Sequence, residues 1–343
     1  MDVVISPKLR SADALQRRSR MSRKPTNKRI ELNERDIEIF RLLQRYRYLR
    51  SSHLFALIGG RSQKRFIERL GHLYHEGGYL DRPPQQWQAV NARYMPAVYD
   101  LGEAGERVLT QHGLAAQGSV LPLTRKGRLG AVRQYHHELM ICDVISSIEI
   151  GARADPNLRY ISWDEIFLNP KMPEGTRNSA NPLAVIVPVS YTCPRTKNTY
   201  RSDKPLIPDA LFGIEYMADG QKRYRFFALE ADRNTEPAFR GNLQQTSYLR
   251  KILQYREIVG RSLYKTQWGL PNLLVLNVTI HDRHMQNLMR LVDELTAGKG
   301  SSYLLFKTMP SLASLEKAPH PTSDMLTGAW QRAGLESFYI DQV

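Results

Sequence analysis

The stretch IPDALFGIEYMADGQKRYRFFALEAD, residues 207–232, decides how the second half of this chain folds. Ile207 to Tyr216 reads as one strand and Arg223 to Asp232 as another, and Asp219-Gly220 between them is a strong signal for a tight hairpin turn. If those two residues form the loop, Ala218 pairs with Gln221, and counting outward sets Asp209 directly across from Glu230. Opposed residues hold their Cβ atoms roughly 4.5 to 5.5 Å apart. Strand side chains alternate with period two, so Asp232 shares the face of Glu230 and three acids gather in one patch.

Like charges clustered on a sheet repel one another unless something cationic lies among them. The neighbours predict burial on both sides: Ala210, Phe212, Phe227 and Leu229 on one face, and Leu211, Gly213, Phe226 and Ala228 with the acids on the other. Buried acids require a metal, a base or a proton. The plainer alternative starts Asp209 at a solvated edge and pairs Glu230 with a surface Arg.

Working outward, 343 residues suffice for two domains of ordinary size, and a hydrophobic content of 42% supports folded cores. The net charge of +15 implies a polyanionic partner, with nucleic acid the first candidate. Nearly half of the excess lies in residues 1–30, where nine Lys or Arg face Asp2 and Asp13. That segment reads as a basic disordered arm following phosphates; a solubilising tail or a transit peptide has similar composition. It carries no apolar run of a secretory signal, and no stretch of about 18 apolar residues appears, so a membrane span is not expected. Two cysteines, Cys142 and Cys193, give neither a disulfide framework nor a cysteine zinc site, which fits a reducing cytoplasm.

Residues 31–112 read as a winged helix-turn-helix. Asn33 caps a first helix carrying Ile37, Phe40, Leu42 and Leu43; Ser51 caps a second that ends at Gly59-Gly60; a third runs from about Ser62 to Glu76, with Phe66, Ile67, Leu70, Leu73 and Tyr74 on its apolar face. Tyr79-Leu80, a Pro83-Pro84 loop with Trp87, and Ala97 to Leu101 form a two-stranded wing, and Glu103 to His112 is a closing helix. The third helix of such a module enters the major groove, so Arg61, Gln63, Lys64, Arg65 and Arg69 are expected to face DNA, with Arg82 and Arg93 flanking the wing. Winged helices also serve as protein-interaction modules, and the basic arm favours double-stranded DNA. Residues 113–130, with Arg125, Lys126 and Arg128, read as a linker.

Residues 131–309 predict a mixed α/β domain with helices covering a sheet: a helix over Tyr135 to Ala152, strands Leu158 to Phe167 and Leu183 to Tyr191, the hairpin, a helix Pro237 to Val259, a strand Asn272 to Ile280, a helix Arg283 to Ala297, and a last strand Tyr303 to Thr308. The tail, 310–343, either packs back or meets a partner. His136-His137 reads as helix-start packing, and His281, Asp282 and His284 as a helix-start loop capped by Asp282, in preference to metal ligands.

Pro208-Asp209, then Glu230-Ala231-Asp232, in an α-β-β-β-α-β order, resembles the PD-(D/E)xK nuclease superfamily. That resemblance implies a divalent metal, usually magnesium, held by Asp209 and Glu230, with a Lys two residues after the Glu positioning water. Asp232 stands where that Lys would be. Lys251 on the following helix is the candidate substitute, and Glu138 and Glu165 are candidate further ligands. A second resemblance spans both halves. Glu34-Arg-Asp-Ile-Glu-Ile-Phe-Arg-Leu-Leu43, His137-Glu138, Pro208-Asp209-Ala210, and Glu230 to Glu236 with Lys251 and Tyr255 are similar to the replication-relaxation family of plasmids and other mobile elements. It implies DNA binding in replication or mobilisation, with protein partners from the same element, and specifies no reaction. Three readings follow: a DNA-binding protein with a nuclease-like domain, a metal-dependent DNA endonuclease with Asp209, Glu230, Asp232 and Lys251 at its centre, or a transcriptional or copy-number regulator.

Overall fold

The computed structural model describes residues 20, 22–88, 94–114, 132–194, 196–233, 243–244, 247–312 and 317–342. Arg93, the linker cations Arg125, Lys126 and Arg128, and Glu236 lie outside the described residues. The chain divides into two compact units, Met1–Gln117 with Leu315–His320, and Gly118–Ser314 with Pro321–Val343.

In the first unit, α1 (Glu34–Tyr46) starts on Asn33, whose side chain accepts the Asp36 N–H while Asp36 returns to the Asn33 N–H. This reciprocal cap satisfies two otherwise orphaned donors. A short β1 (Leu49–Arg50) follows, then α2 (Ser51–Ile58), closed by Gly59 at φ +75°, and α3 (Gln63–His75), capped by Ser62. At the positions expected for a wing lie β2 (Leu80–Asp81) and β3 (Val98–Leu101), followed by α4 (Glu103–Gln111). The sheet order is β1-β3-β2, so the expected two-stranded ribbon gains a third strand from between the first two helices. Ile39, Phe40, Leu43, Leu54, Phe66, Leu70, Leu73 and Leu109 are buried in this unit. The order is consistent with a winged helix-turn-helix. Ile67, expected on the apolar face of α3, is instead 44% exposed. Arg23, Lys24 and Thr26, assigned to a disordered arm, bond to Tyr74, His75 and Glu76 around the end of α3.

The second unit is mixed α/β. The long α5 (Val132–Ala154) precedes β4 (Leu158–Ile161). The strand expected to continue to Phe167 stops at Ile161, because Glu165 reaches back to the Ser162 N–H (3.4 Å) and hydroxyl (3.2 Å) and starts α6 (Trp163–Leu168). The region 170–181 contains a single helical turn, α7 (Glu174–Arg177). Leu183 to Tyr191 is not a strand of the main sheet; β5 (Val189–Thr192) pairs with β6 (Thr199–Ser202) in a separate ribbon, and Val185 forms an antiparallel bridge with Leu206. Pro188 has no N–H to give a ladder.

Then comes the hairpin, β7 (Ala210–Ala218) and β8 (Gln221–Asp232), paired Ala218↔Gln221 as the turn chemistry required. Asp219 (φ +53°) and Gly220 (φ +71°) both take the left-handed conformation that such a turn demands. The next helix, α8 (Tyr248–Gly260), is capped by Ser247; Pro237, where a helix was expected to begin, lies outside the described residues. After α9 (Leu263–Trp268) come β9 (Leu274–Thr279), α10 (Asp282–Leu295, with His281 rather than Asp282 at its N-cap) and β10 (Leu304–Thr308).

The tail is part of the fold: α11 (Asp324–Thr327) packs on α5, and β11 (Trp330–Arg332) and β12 (Leu335–Phe338) extend the sheet, so β10 is not the last strand. The sheet order is β12-β11-β10-β9-β8-β7-β4, parallel across β8-β9-β10 and antiparallel elsewhere. Helices cover both faces. One layer packs α8 and α10 on Leu211, Phe226, Ala228, Val275 and Phe306. The other packs α5 and α11 on Phe212, Phe227, Leu229, Leu276 and Trp330. Strands buried on both faces read as continuous apolar runs, which explains the composition of β8 and β9. Gly151 lets α5 and α11 meet, since a Cβ there would stand 2.7 Å from Leu326.

Candidate functional site

Glu230 and Asp232 have the strand parity of Phe226 and Ala228, so they point toward α8 and α10. Asp209 immediately precedes β7, whose register with β8 ends at Ala210↔Leu229, and its N–H donates to the Leu229 carbonyl at 3.0 Å. The predicted trio is therefore brought to one end of the hairpin.

Each acid is met by its own base. Asp209 Oδ2 accepts the Ala231 N–H at 2.8 Å, and His137 Nε2, from the first turns of α5, lies 3.0 Å from the Ala231 carbonyl and 3.5 Å from Asp209 Oδ2. Burial pushes the His137 imidazole down, but the Asp209 carboxylate outweighs it and raises the pKa to about 9. Burial pushes the Asp209 carboxyl up, yet His137, Lys251 and the Ala231 N–H together hold it below the usual carboxylate range. An imidazolium–carboxylate pair results at neutral pH.

Glu230 lies deeper. Lys251 Nζ is 2.7 Å from its Oε2, and the Tyr255 hydroxyl donates to Oε1 at 2.5 Å. Lys251 and Tyr255 are i and i+4 on α8, one face of one helix. Burial pushes Glu230 up to about 7 against the pull of the Lys251 ammonium. Burial beside that carboxylate also holds the Tyr255 phenol well above its ordinary range, so it remains a neutral donor. Asp232 Oδ2 is 2.7 Å from His284 Nε2 on α10.

The polar row continues into the sheet. Asn277, beside Glu230 on β9, accepts from the Tyr248 hydroxyl and donates to the Leu305 carbonyl at 3.1 Å.

Sequence reasoning found the acids and Lys251, and it treated His137 and His284 as packing or helix-start residues. Their signal was the unmatched charge itself: Asp232 in the place of a Lys calls for a base from elsewhere. Glu138 is buried and accepts from Gln134 (3.1 Å), while Glu165 is on α6, paired with Arg159, and not on the first strand.

Two carboxylates and the Ala231 carbonyl are the kind of oxygen set that a hard divalent ion takes. Here those oxygens already face donors: Tyr255 and Lys251 on Glu230, Ala231 N–H and His137 on Asp209, and His137 on the carbonyl. Among the described residues no group of three or more His, Cys, Asp or Glu is arranged to hold a metal. The arrangement as it stands does not fit magnesium, which would have to displace both His137 and Lys251.

The second cluster is on α3. Arg61, Gln63, Lys64 and Arg65 are exposed around its first turn, where Ser62 Oγ accepts the Arg65 N–H. Arg69 and Arg82, expected beside them, are engaged within the unit. Arg69 grips buried Asp36 through Nε (3.0 Å) and Nη2 (2.5 Å), and Arg82 bonds the Tyr99 hydroxyl (2.7 Å) while lying over the Tyr74 ring. Their reach is set by buried partners that no helical periodicity reveals.

No helix among the described residues is long and apolar enough to cross a membrane. No curated protein and no solved structure matches the chain. The family model described as replication-relaxation matches residues 40–273, from within α1 to the start of β9, and so takes in both the exposed helix and the acid site. With more than half of its length matched, the chain belongs to the replication-relaxation family.

Proposed function

We propose that the protein docks on double-stranded DNA through α3, as a DNA-binding protein of a plasmid or other mobile element, with a nuclease-like domain whose acid site is neutralised from within. Membership of the replication-relaxation family supplies the coarse frame, a role in plasmid or mobile-element replication or relaxation. The observation that carries the finer reading is the exposed group Gln63, Lys64 and Arg65 on the first turn of a helix in winged-helix order, with Arg61 just before its cap, within a chain of net charge +15. Cations in that position meet phosphates, and an exposed Gln meets base edges. Replacing Arg61, Lys64 and Arg65 together by Ala tests it. If three phosphate contacts are lost, the slope of log affinity against log salt shrinks by about 2.7. An unchanged slope and affinity would reject α3 as the docking element.

A second reading, a metal-dependent DNA endonuclease, is supported by the nuclease-like set of Asp209, Glu230 and Lys251 at one end of the hairpin, and it requires a divalent ion to displace His137 and Lys251 from the acids. The full chain with Mg²⁺ or Mn²⁺ at low salt would then nick or cut supercoiled DNA, and the Asp209→Ala, Glu230→Ala variant would not. Intact DNA under those conditions ends this reading and leaves the docking reading standing. The regulator reading predicts a specific footprint near the protein's own promoter.

A further inference from the structure

The outward face of α3 holds two residues that the fold itself does not explain. Ile67 is 44% exposed, a large apolar side chain held in water one turn beyond Gln63 and Lys64. Gly71 lies one turn further along the same face. Glycine is among the least favourable residues in a helix interior. Among the described residues nothing requires it there, because a Cβ at position 71 would meet no atom within 4 Å. Lys64, Ile67 and Gly71 follow one another at i, i+3 and i+7, the spacing of a single helical face.

We propose that Ile67 reads thymine, packing its side chain on the C5-methyl group at the floor of the major groove, and that Gly71 lets the second half of α3 approach the groove wall. This rests on the docking reading given above. DNA is the occupant that the charge selects: Arg61, Lys64 and Arg65 frame the apolar spot, Glu68 is the one acid among the exposed residues of that turn, and Gln63 supplies a base-edge donor and acceptor beside it. Among the atoms on major-groove edges, the thymine methyl is the apolar one, and it is what an exposed aliphatic side chain on a basic helix can recognise. The absence of a side chain at position 71 shortens the distance at which the helix backbone can pass a phosphate.

The test uses the full chain. A preferred duplex is selected from a random pool, and binding is then compared on that duplex and on the same duplex with deoxyuridine replacing thymidine, which removes only methyl groups. The wild-type protein is expected to lose about fourfold in affinity on the deoxyuridine duplex, the worth of one buried carbon. Ile67→Ala is expected to bind both duplexes alike, at the weaker level. Gly71→Ala is expected to melt a few degrees higher while binding the selected duplex of the order of tenfold more weakly. If the wild type does not distinguish the two duplexes, or Ile67→Ala distinguishes them as well as the wild type, the thymine reading is overturned. If Gly71→Ala binds at full strength, the close-approach role is overturned. The Arg61, Lys64 and Arg65 triple variant separates the two levels: its loss of binding beside either failure leaves docking intact and removes only the inference, whereas its full binding removes both.

Discussion

The face of α3 and the end of the central hairpin handle charge in opposite ways. At the start of α3 the cations Arg61, Lys64 and Arg65 stand in solvent. At the hairpin every acid has a base within reach, His137 for Asp209, Lys251 for Glu230 and His284 for Asp232. An exposed charge costs the fold little and remains available to a partner. A buried one must be matched within the molecule, and once matched it is tied to the stability of the elements that carry it. One region holds its charge for others; the other consumes its own.

The strongest way to break this contrast is Lys251→Met, which leaves Glu230 buried without its ammonium. At pH 8, where Lys251 holds Glu230 ionised, urea unfolding should show a loss of about 3 to 5 kcal/mol, because the variant must bury that charge or take up a proton. Adding Glu230→Gln should return much of it; no recovery would mean that Lys251 matters through packing alone.

The next effect is in pH. The His137 pKa of about 9 is above its unfolded value of 6.5, so its contribution is full below pH 6.5 and is lost as pH rises through 9, about 3 kcal/mol in all. Glu230 at about 7, above its ordinary 4.5, lends stability below pH 4.5 that is lost as pH rises to 7. Both slopes run the same way, so this site weakens from pH 5 to 9, while the lowered Asp209 withdraws its own contribution only as pH falls into the acid range. Unfolding of His137→Asn followed from pH 6.5 to 9.5 should show the alkaline slope gone; an unchanged slope would remove His137 as its source.

A smaller loss is expected from Arg69→Ala, about 1 to 3 kcal/mol, because buried Asp36 then loses a two-point partner. Arg65→Ala, four residues earlier on the same helix, should shift stability by no more than about 0.5 kcal/mol while weakening DNA binding. Equal destabilisation by the two would erase the distinction between inward and outward cations within α3.

What the sequence disclosed follows the range of the interaction. The hairpin register was legible because a two-residue turn fixes every later pairing, and the α-β-β-β-α-β order of α5, β4, β7, β8, α8 and β9 was legible from apolar runs. The three helices of the first unit were legible from caps and glycines. The short α6 was missed although Ser162 and Glu165 carry its start signal, because the apolar Trp163 to Leu168 resembles a strand continuing. His137 reaches Asp209 across more than seventy residues, and His284 reaches Asp232 across about fifty; no local pattern connects them. Ile67 was misjudged because it lies at the border of the apolar stripe, where one position of rotation separates core from solvent.

The sheet order carries a consequence for synthesis. The helices and strands α1 to α4 and β1 to β3 end at Gln111, while the sheet that backs the acid site is completed only when β12, at Leu335–Phe338, takes its place beside β11. At ribosomal speeds of about 5 to 20 residues per second, that separation is roughly 10 to 50 seconds. During this interval a nascent chain can present α1 to α4 and β1 to β3 while Trp330 is still unmade and the α/β core unclosed.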